Sequence, residues 1–154
     1  MLGPMFLPDD LLSVARRFAG DPAGWPVAPR FDPVERWYHR IAATPEHEVW
    51  LLTWLPGQHT DLHDHGGASG GFTVVSGTLT EETVSRAGAL RARPLHPGDG
   101  RRFGPRYVHR VSNHGPDPAI SVHCYAPELR SMTRYDLTDG VLRVADVARA
   151  GVAW

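Results

Sequence analysis

Only one cysteine, Cys124, occurs in 154 residues, so no disulfide can form within the chain, as suits a reducing compartment. No apolar run approaches the roughly 20 residues that a helix needs to span a bilayer. The opening "MLGPMFLPDD" lacks a basic flank and is broken by Pro4 and Pro8, unlike a signal peptide. A cytoplasmic protein with no membrane partner is the expectation. Neither sign of charge dominates: Lys plus Arg number 16 against 17 Asp plus Glu, and the arginines scatter among acids rather than forming a stripe. That pattern excludes the electrostatic footprint of a nucleic-acid binder and turns attention to small molecules. The glycine-rich "GGASGG" at 66–71 has no P-loop lysine, so it reads as a flexible turn rather than a phosphate cradle.

The length suits one substantial core and is short for two, which sets the expectation of a single domain over 1–154. From Asp9 or Asp10, either able to cap a helix, Leu11, Leu12, Val14, Ala15 and Phe18 recur at helical spacing until Gly20, Asp21 and Pro22 end the pattern. Four prolines between 22 and 33 then predict a surface loop, so that 1–34 forms a helix and a proline-rich loop. Thereafter "EVWLLTWL", "GFTVVSGTLTEETV", "ALRARPL", "YVHRVSN" and "AISVHCYA" are short runs rich in branched and aromatic residues, bounded by turn formers. Strands at this spacing predict an all-β sandwich or barrel over 35–136. The tail, 137–154, reads as a hairpin across "TDGVL" followed by a weak helix from Ala145 to Ala150.

Within "LHDHGG", His63 and His65 stand two positions apart, which on an extended strand places both imidazoles on one face and Leu62 and Asp64 on the other. Both could bind one ion, although an HxH pair alone also fits two surface histidines. Ser121, His123 and Tyr125 likewise share one face of a strand, with Val122 and Cys124 on the other. Such alternation equally describes the polar face of a half-exposed strand. Trp54, in an apolar strand, is expected to fill the core. His39, His47, His59, His96 and His114 have no motif around them and read as solvated or structural.

Gly57, His63, His65, Gly70 and Gly77 reproduce the spacing of the first cupin motif, with Gly70 at the place of its usual glutamate. Gly98, His109 and Asn113 resemble the second motif, although Gly104 and Arg106 replace its usual proline and glycine. Read outward, "YHR" at 38–40, "TWLPGQHTDLHDH", "PRYVHRVSN" and "SVHCYAP" make the chain similar to the bacterial branch of the cysteine dioxygenase family. The resemblance covers 38 to about 136. It implies a small jelly-roll-like cupin barrel holding Fe(II) on His63, His65 and His109, with a small thiol and dioxygen as reaction partners. Three neutral ligands leave the ion its full charge and open positions, which attracts a thiolate.

The same resemblance implies oxidation of L-cysteine to cysteine sulfinic acid. Arg40 would pair with the substrate carboxylate, Tyr38 would close the pocket beside it, and Ser121, His123 and Tyr125 would form the family's relay. Related enzymes acting on 3-mercaptopropionate generally carry glutamine at the arginine position, so Arg40 favours cysteine. Eukaryotic members crosslink the relay tyrosine to a cysteine; Gly70 stands at that position here, which implies an uncrosslinked Tyr125. Open alternatives are another small thiol, a zinc-dependent hydrolase or isomerase, and a non-catalytic binding cupin. Oligomeric state is not legible.

Overall fold

The computed structural model of the chain describes residues 10–149. Helix α1 (Leu11–Ala19) begins where the capping pattern places it: the Asp10 side chain accepts a hydrogen bond from the Leu12 backbone N–H at 3.2 Å. Its buried residues Leu12, Val14 and Ala15 lie on one stripe. The proline-rich segment that follows is irregular apart from a single 3-10 turn at Pro22–Gly24. Among the described residues no helix is long and apolar enough to cross a membrane.

Among the described residues eleven strands follow: β1 (Tyr38–Ala43), β2 (Glu48–Trp54), β3 (Leu62–His63), β4 (Ser69–Ser76), β5 (Leu79–Val84), β6 (Leu90–Leu95), β7 (Gly100–Phe103), β8 (His109–Ser112), β9 (Ala119–Ala126), β10 (Ser131–Thr138) and β11 (Val141–Arg149). They form two antiparallel sheets, one in the order β1-β2-β9-β4-β7 and the other β11-β10-β3-β8-β5-β6. This is the double-sheet β architecture that the strand pattern predicts. Phe72, Trp54, Leu79, Leu95 and Val111 pack between the sheets, and Val14 and Ala15 of α1 cover Val49, Leu51, Val122 and Cys124 on the outer face of the five-stranded sheet.

That outer cover settles the face question for β9. Val122 and Cys124 are buried against the helix, so Ser121, His123 and Tyr125 point into the barrel and are buried too. Burial, with Glu48 nearby, pushes the Cys124 thiol up to about 12, so it behaves as an inert apolar residue.

The expected helix at Ala145–Ala150 is corrected: residues 145–149 are the second half of β11, and Ala150 lies outside the described residues. Asp139 and Gly140 both adopt positive φ, 52° and 74°, and close a tight hairpin. The ladder then runs from Thr138 opposite Val141 to Ser131 opposite Arg149, and this pairing overrides the helical preference of the alanines.

The helix can seat on the sheet because Gly71 has no side chain: a Cβ there would meet the backbone of Leu11 and Leu12. Gly71→Ala should therefore destabilise the protein by about 2 kcal/mol in urea unfolding, within the usual cost of overpacking. Gly104→Ala, where a Cβ would meet nothing within 4 Å, should stay within about 0.5 kcal/mol. Equal effects of the two would contradict this packing.

Candidate metal centre

Strand β3 is only two residues long and lies between β10 and β8, with His63 directly opposite both Arg134 and His109. Asp64 fixes the turn that follows. Its carboxylate accepts the backbone N–H groups of Gly66 and Thr133, each at 3.0 Å, and the Tyr135 hydroxyl at 2.7 Å. The outward residue of "HDH" thus ties the turn to β10 while its two neighbours point inward. His63, His65 and His109 are all buried, each offers one ring nitrogen, and those nitrogens lie within 4.8 Å of one another.

Two of the rings are oriented from behind. The Nδ1 of His63 lies 2.7 Å from the Asp61 carbonyl oxygen and that of His109 lies 2.9 Å from Glu81 Oε2, so in each ring Nδ1–H donates and Nε2 keeps its lone pair. His65 is held by shape, stacked on Phe103 at 4.4 Å between ring centroids. Neither of its nitrogens has a hydrogen-bond partner, although both are buried. A metal ion bound by all three rings would satisfy one of these two orphaned atoms, so the donor set fits an ion. Burial first, then repulsion among the imidazoles and, for His63 and His123, from Arg36, holds His63, His65 and His123 well below the usual imidazole range. All three are neutral at pH 7, the form in which imidazole binds metal.

Glu81, which the sequence reading passed over, is the anchor behind His109. Its Oε1 accepts from Arg101 Nε at 2.9 Å and its Oε2 from the Tyr107 hydroxyl at 2.9 Å as well as from His109. Burial would raise this carboxyl, but the bonds from His109, Tyr107 and Arg101 outweigh it and keep the group below the ordinary glutamate range. A signal was available. Leu79 and Glu81 alternate on one face of β5, and Leu79 is fully buried.

The remaining polar groups of the barrel form a line. Trp54 Nε1 donates to Ser121 Oγ at 2.9 Å, Ser121 Oγ lies 2.8 Å from His123 Nε2, and His123 Nδ1 lies 3.4 Å from the Tyr125 hydroxyl. The serine hydroxyl thus joins the Trp54 indole N–H to His123 Nε2, and the other imidazole nitrogen, Nδ1, faces the Tyr125 hydroxyl. Trp54 fills the core as expected and also serves as the first member of this line. Burial, with Glu48 close by, raises the Tyr125 phenol, so it stays protonated.

A space of about 20 Å³, room for one water, is walled by His63, His109, His123, Tyr125, Met132 and Arg36 among others. It adjoins a vestibule of about 230 Å³ that shares Arg36, Thr60, His63 and Met132 with it and adds His59, Asp61 and Arg134. Arg36 therefore stands at the junction. Its guanidinium carbon lies 5.1 Å from the Trp54 ring centroid, a cation–π contact, and burial lowers its pKa to about 10, still charged at pH 7. Arg40 is placed differently: half its side chain is exposed, and Nη1 lies 3.5 Å from the buried Glu48 carboxylate. Tyr38 packs edge-on against Trp50, 6.0 Å between ring centroids. Neither Arg40 nor Tyr38 walls the space beside the histidines.

Solved structures with the same fold include the Thermus thermophilus protein TT1209, 21% identical over 65% of this chain and 90% of that one with a TM-score of 0.57. A Klebsiella pneumoniae protein with a double-stranded β-helix domain is 24% identical over 76% of this chain and 90% of its own, TM-score 0.56. The Cupin_2 domain of an XRE family transcriptional regulator from Enterobacter cloacae is 19% identical, TM-score 0.51, with 59% of this chain and 95% of that one covered. These establish the cupin fold. The profile of the cysteine dioxygenase type I family matches residues 8–138. The chain belongs to the cysteine dioxygenase type I family.

Within this family member Gly70 pairs directly with Tyr125 across β4 and β9. A Cβ at 70 would collide with the Phe103 ring, so Phe103 fills the room that a residue crosslinked to Tyr125 would need. Cys124, on the opposite face of β9, cannot supply a substitute sulfur.

Glu81→Gln should weaken metal binding about 10- to 100-fold in a chelator competition while leaving the fold intact, since it breaks the carboxylate contact behind one ligand. The metal-free protein should also lose stability on acidification. His63, His65 and His123 have depressed folded pKa values, so the unfolded chain takes up more protons below about 6.5 and gains stability relative to the folded one. Its melting temperature should fall between pH 8 and pH 5.5, and a flat profile would contradict the neutral assignment.

Proposed function

We propose that the chain is a ferrous thiol dioxygenase that converts L-cysteine to cysteine sulfinic acid. The observation that carries this reading is the convergence of three buried histidines on one candidate metal position, with a cation at the junction with the vestibule and a protonated phenol beside it. Carboxylate, thiol and oxygen then each have a partner. Fe(II) held by His63, His65 and His109 would supply the redox chemistry that lets dioxygen react with a thiolate. The reaction balances as R–SH and O2 giving R–SO2H: both oxygen atoms bond to sulfur, which loses four electrons, and no external reductant is consumed.

Every other task falls to side chains. Neutral ligands cancel none of the metal charge, so the site favours the thiolate over the thiol. Arg36, over the Trp54 ring, offers a planar fork to the substrate carboxylate, and it does so at the space that His63, His109 and His123 wall. We therefore assign the carboxylate grip to Arg36 rather than to Arg40, whose partner is Glu48. In the family resemblance it is Arg40, at the position where enzymes acting on 3-mercaptopropionate generally carry glutamine, that favours cysteine as the substrate. Tyr125 keeps its proton and, steadied by His123, offers a hydrogen bond to oxygen as it transfers to sulfur.

Oxygen uptake by the iron-loaded protein, with sulfinate quantified, tests this directly. L-Cysteine should give about one sulfinate per oxygen consumed, and 3-mercaptopropionate should be the poorer substrate. Arg36→Gln should raise the KM for cysteine about 10- to 100-fold, the worth of a charge-assisted pair. Arg40→Gln should change it by about twofold or less. His109→Ala should lose iron and uptake together. A crippled Arg40→Gln beside a normal Arg36→Gln would move the grip back to Arg40; absence of uptake with either thiol would overturn the reading.

A further inference from the structure

Strands β6 and β7 are edge strands of different sheets, so no ladder closes the barrel between them. The seam opens into a cleft of about 850 Å³ lined by Glu81, Thr83, Arg91, Arg93, Arg101 and Tyr107 together with Val84 and Ala92. Its lining shares no residue with the space beside the three histidines. Register explains its charge. Arg93 pairs with Glu81 and Arg91 with Thr83, which puts both arginines on the face of the six-stranded sheet that carries the inward-pointing Glu81. Arg101 reaches the same place from β7, paired with the core residue Phe72.

Three arginines therefore line a cleft that holds one carboxylate, and that carboxylate is spent. Both Glu81 oxygens are engaged by Arg101, Tyr107 and His109. The neighbouring Glu82 points the other way and is held by Arg110 in two bonds of 3.0 and 2.9 Å. Among the described residues Arg91 and Arg93 have no hydrogen-bond or ion-pair partner. An excess of like charge in a concave wall focuses a positive potential and draws in counter-ions. Guanidinium forks match the geometry of carboxylate and phosphate oxygens.

We propose that the seam between β6 and β7 is a second ligand site, which binds a small molecule bearing at least two oxyanion charges through Arg91, Arg93 and Arg101. It does not depend on the dioxygenase reading. Through Glu81, shared by Arg101 and His109, an occupant sits one carboxylate away from a candidate metal ligand.

The test is calorimetric titration of the full-length protein with inorganic phosphate and, separately, with succinate, at constant ionic strength set by potassium chloride. At least one of the two should bind saturably at a single site, and which one does distinguishes a phosphate from a dicarboxylate ligand. The Arg91→Gln/Arg93→Gln variant should weaken that binding about tenfold or more. Each single variant should weaken it less, and Arg36→Gln, which alters the other cavity, should leave it unchanged. These arginines are exposed, so the variants should fold as the parent does by circular dichroism. No saturable binding of either anion, binding that survives the double substitution, or binding lost in Arg36→Gln would each overturn the proposal. None of these readouts requires oxygen or a thiol, so they stand or fall apart from the enzymatic reading.

Discussion

Three imidazoles packed face to edge, with ring centroids 4.8 to 5.0 Å apart, share the inside of a barrel, and burial holds two of them, His63 and His65, without charge. A cluster of buried imidazolium ions would repel itself and lose its hydration, so neutrality is the condition on which everything nearby depends. The two sheets exclude water. The Asp61 carbonyl and Glu81 fix the tautomers of His63 and His109, and the Phe103 ring braces His65. What results is a set of lone pairs with no acceptor duty inside the protein, which is the chemistry of a metal site before any metal arrives.

The same condition limits how much negative charge the neighbourhood can hold. Glu81 is tolerated because Arg101 and Tyr107 offset it from the far side, and Glu48, opposite Tyr125 on the adjoining strand, is buried next to Arg40, where its Oε1 also accepts the Leu129 backbone N–H at 2.7 Å. Inside the cavity the fixed charge is instead the cation of Arg36. A small space bounded by three imidazoles, one cation and one phenol is electrostatically suited to an anion. This is how the fold of a widely used barrel becomes specific to a task, since the sheets themselves carry no such preference.

Much of this was legible in the chain. The period of two put His63 with His65 and Ser121 with His123 and Tyr125, and short strands between turn residues gave the sheets. Motif spacing then supplied His109 as the third histidine of the candidate site. What escaped is non-local. Arg36 precedes β1 in an irregular stretch after Pro33, and its place over Trp54 depends on a contact between residues 18 apart that no periodicity encodes. Arg40, two residues beyond Tyr38 in a promising motif, is set beside a register shift between Arg40 and Ala42 and meets Glu48. The helix expected near 145 yielded to pairing with β10 because a tight turn at Asp139 and Gly140 fixed the register first. Glu81 could have been noticed as an acid at an apolar-face position; its three partners could not.

The most direct test of the central claim is a single turnover of the iron-loaded protein with L-cysteine under 18O2, with the sulfinate analysed by mass spectrometry. Incorporation of both labelled atoms into one sulfinate, with none from water, is the result that dioxygenation at this three-histidine site predicts. A product carrying one labelled atom or none, or cysteine recovered unchanged while the metal remains bound, would contradict it.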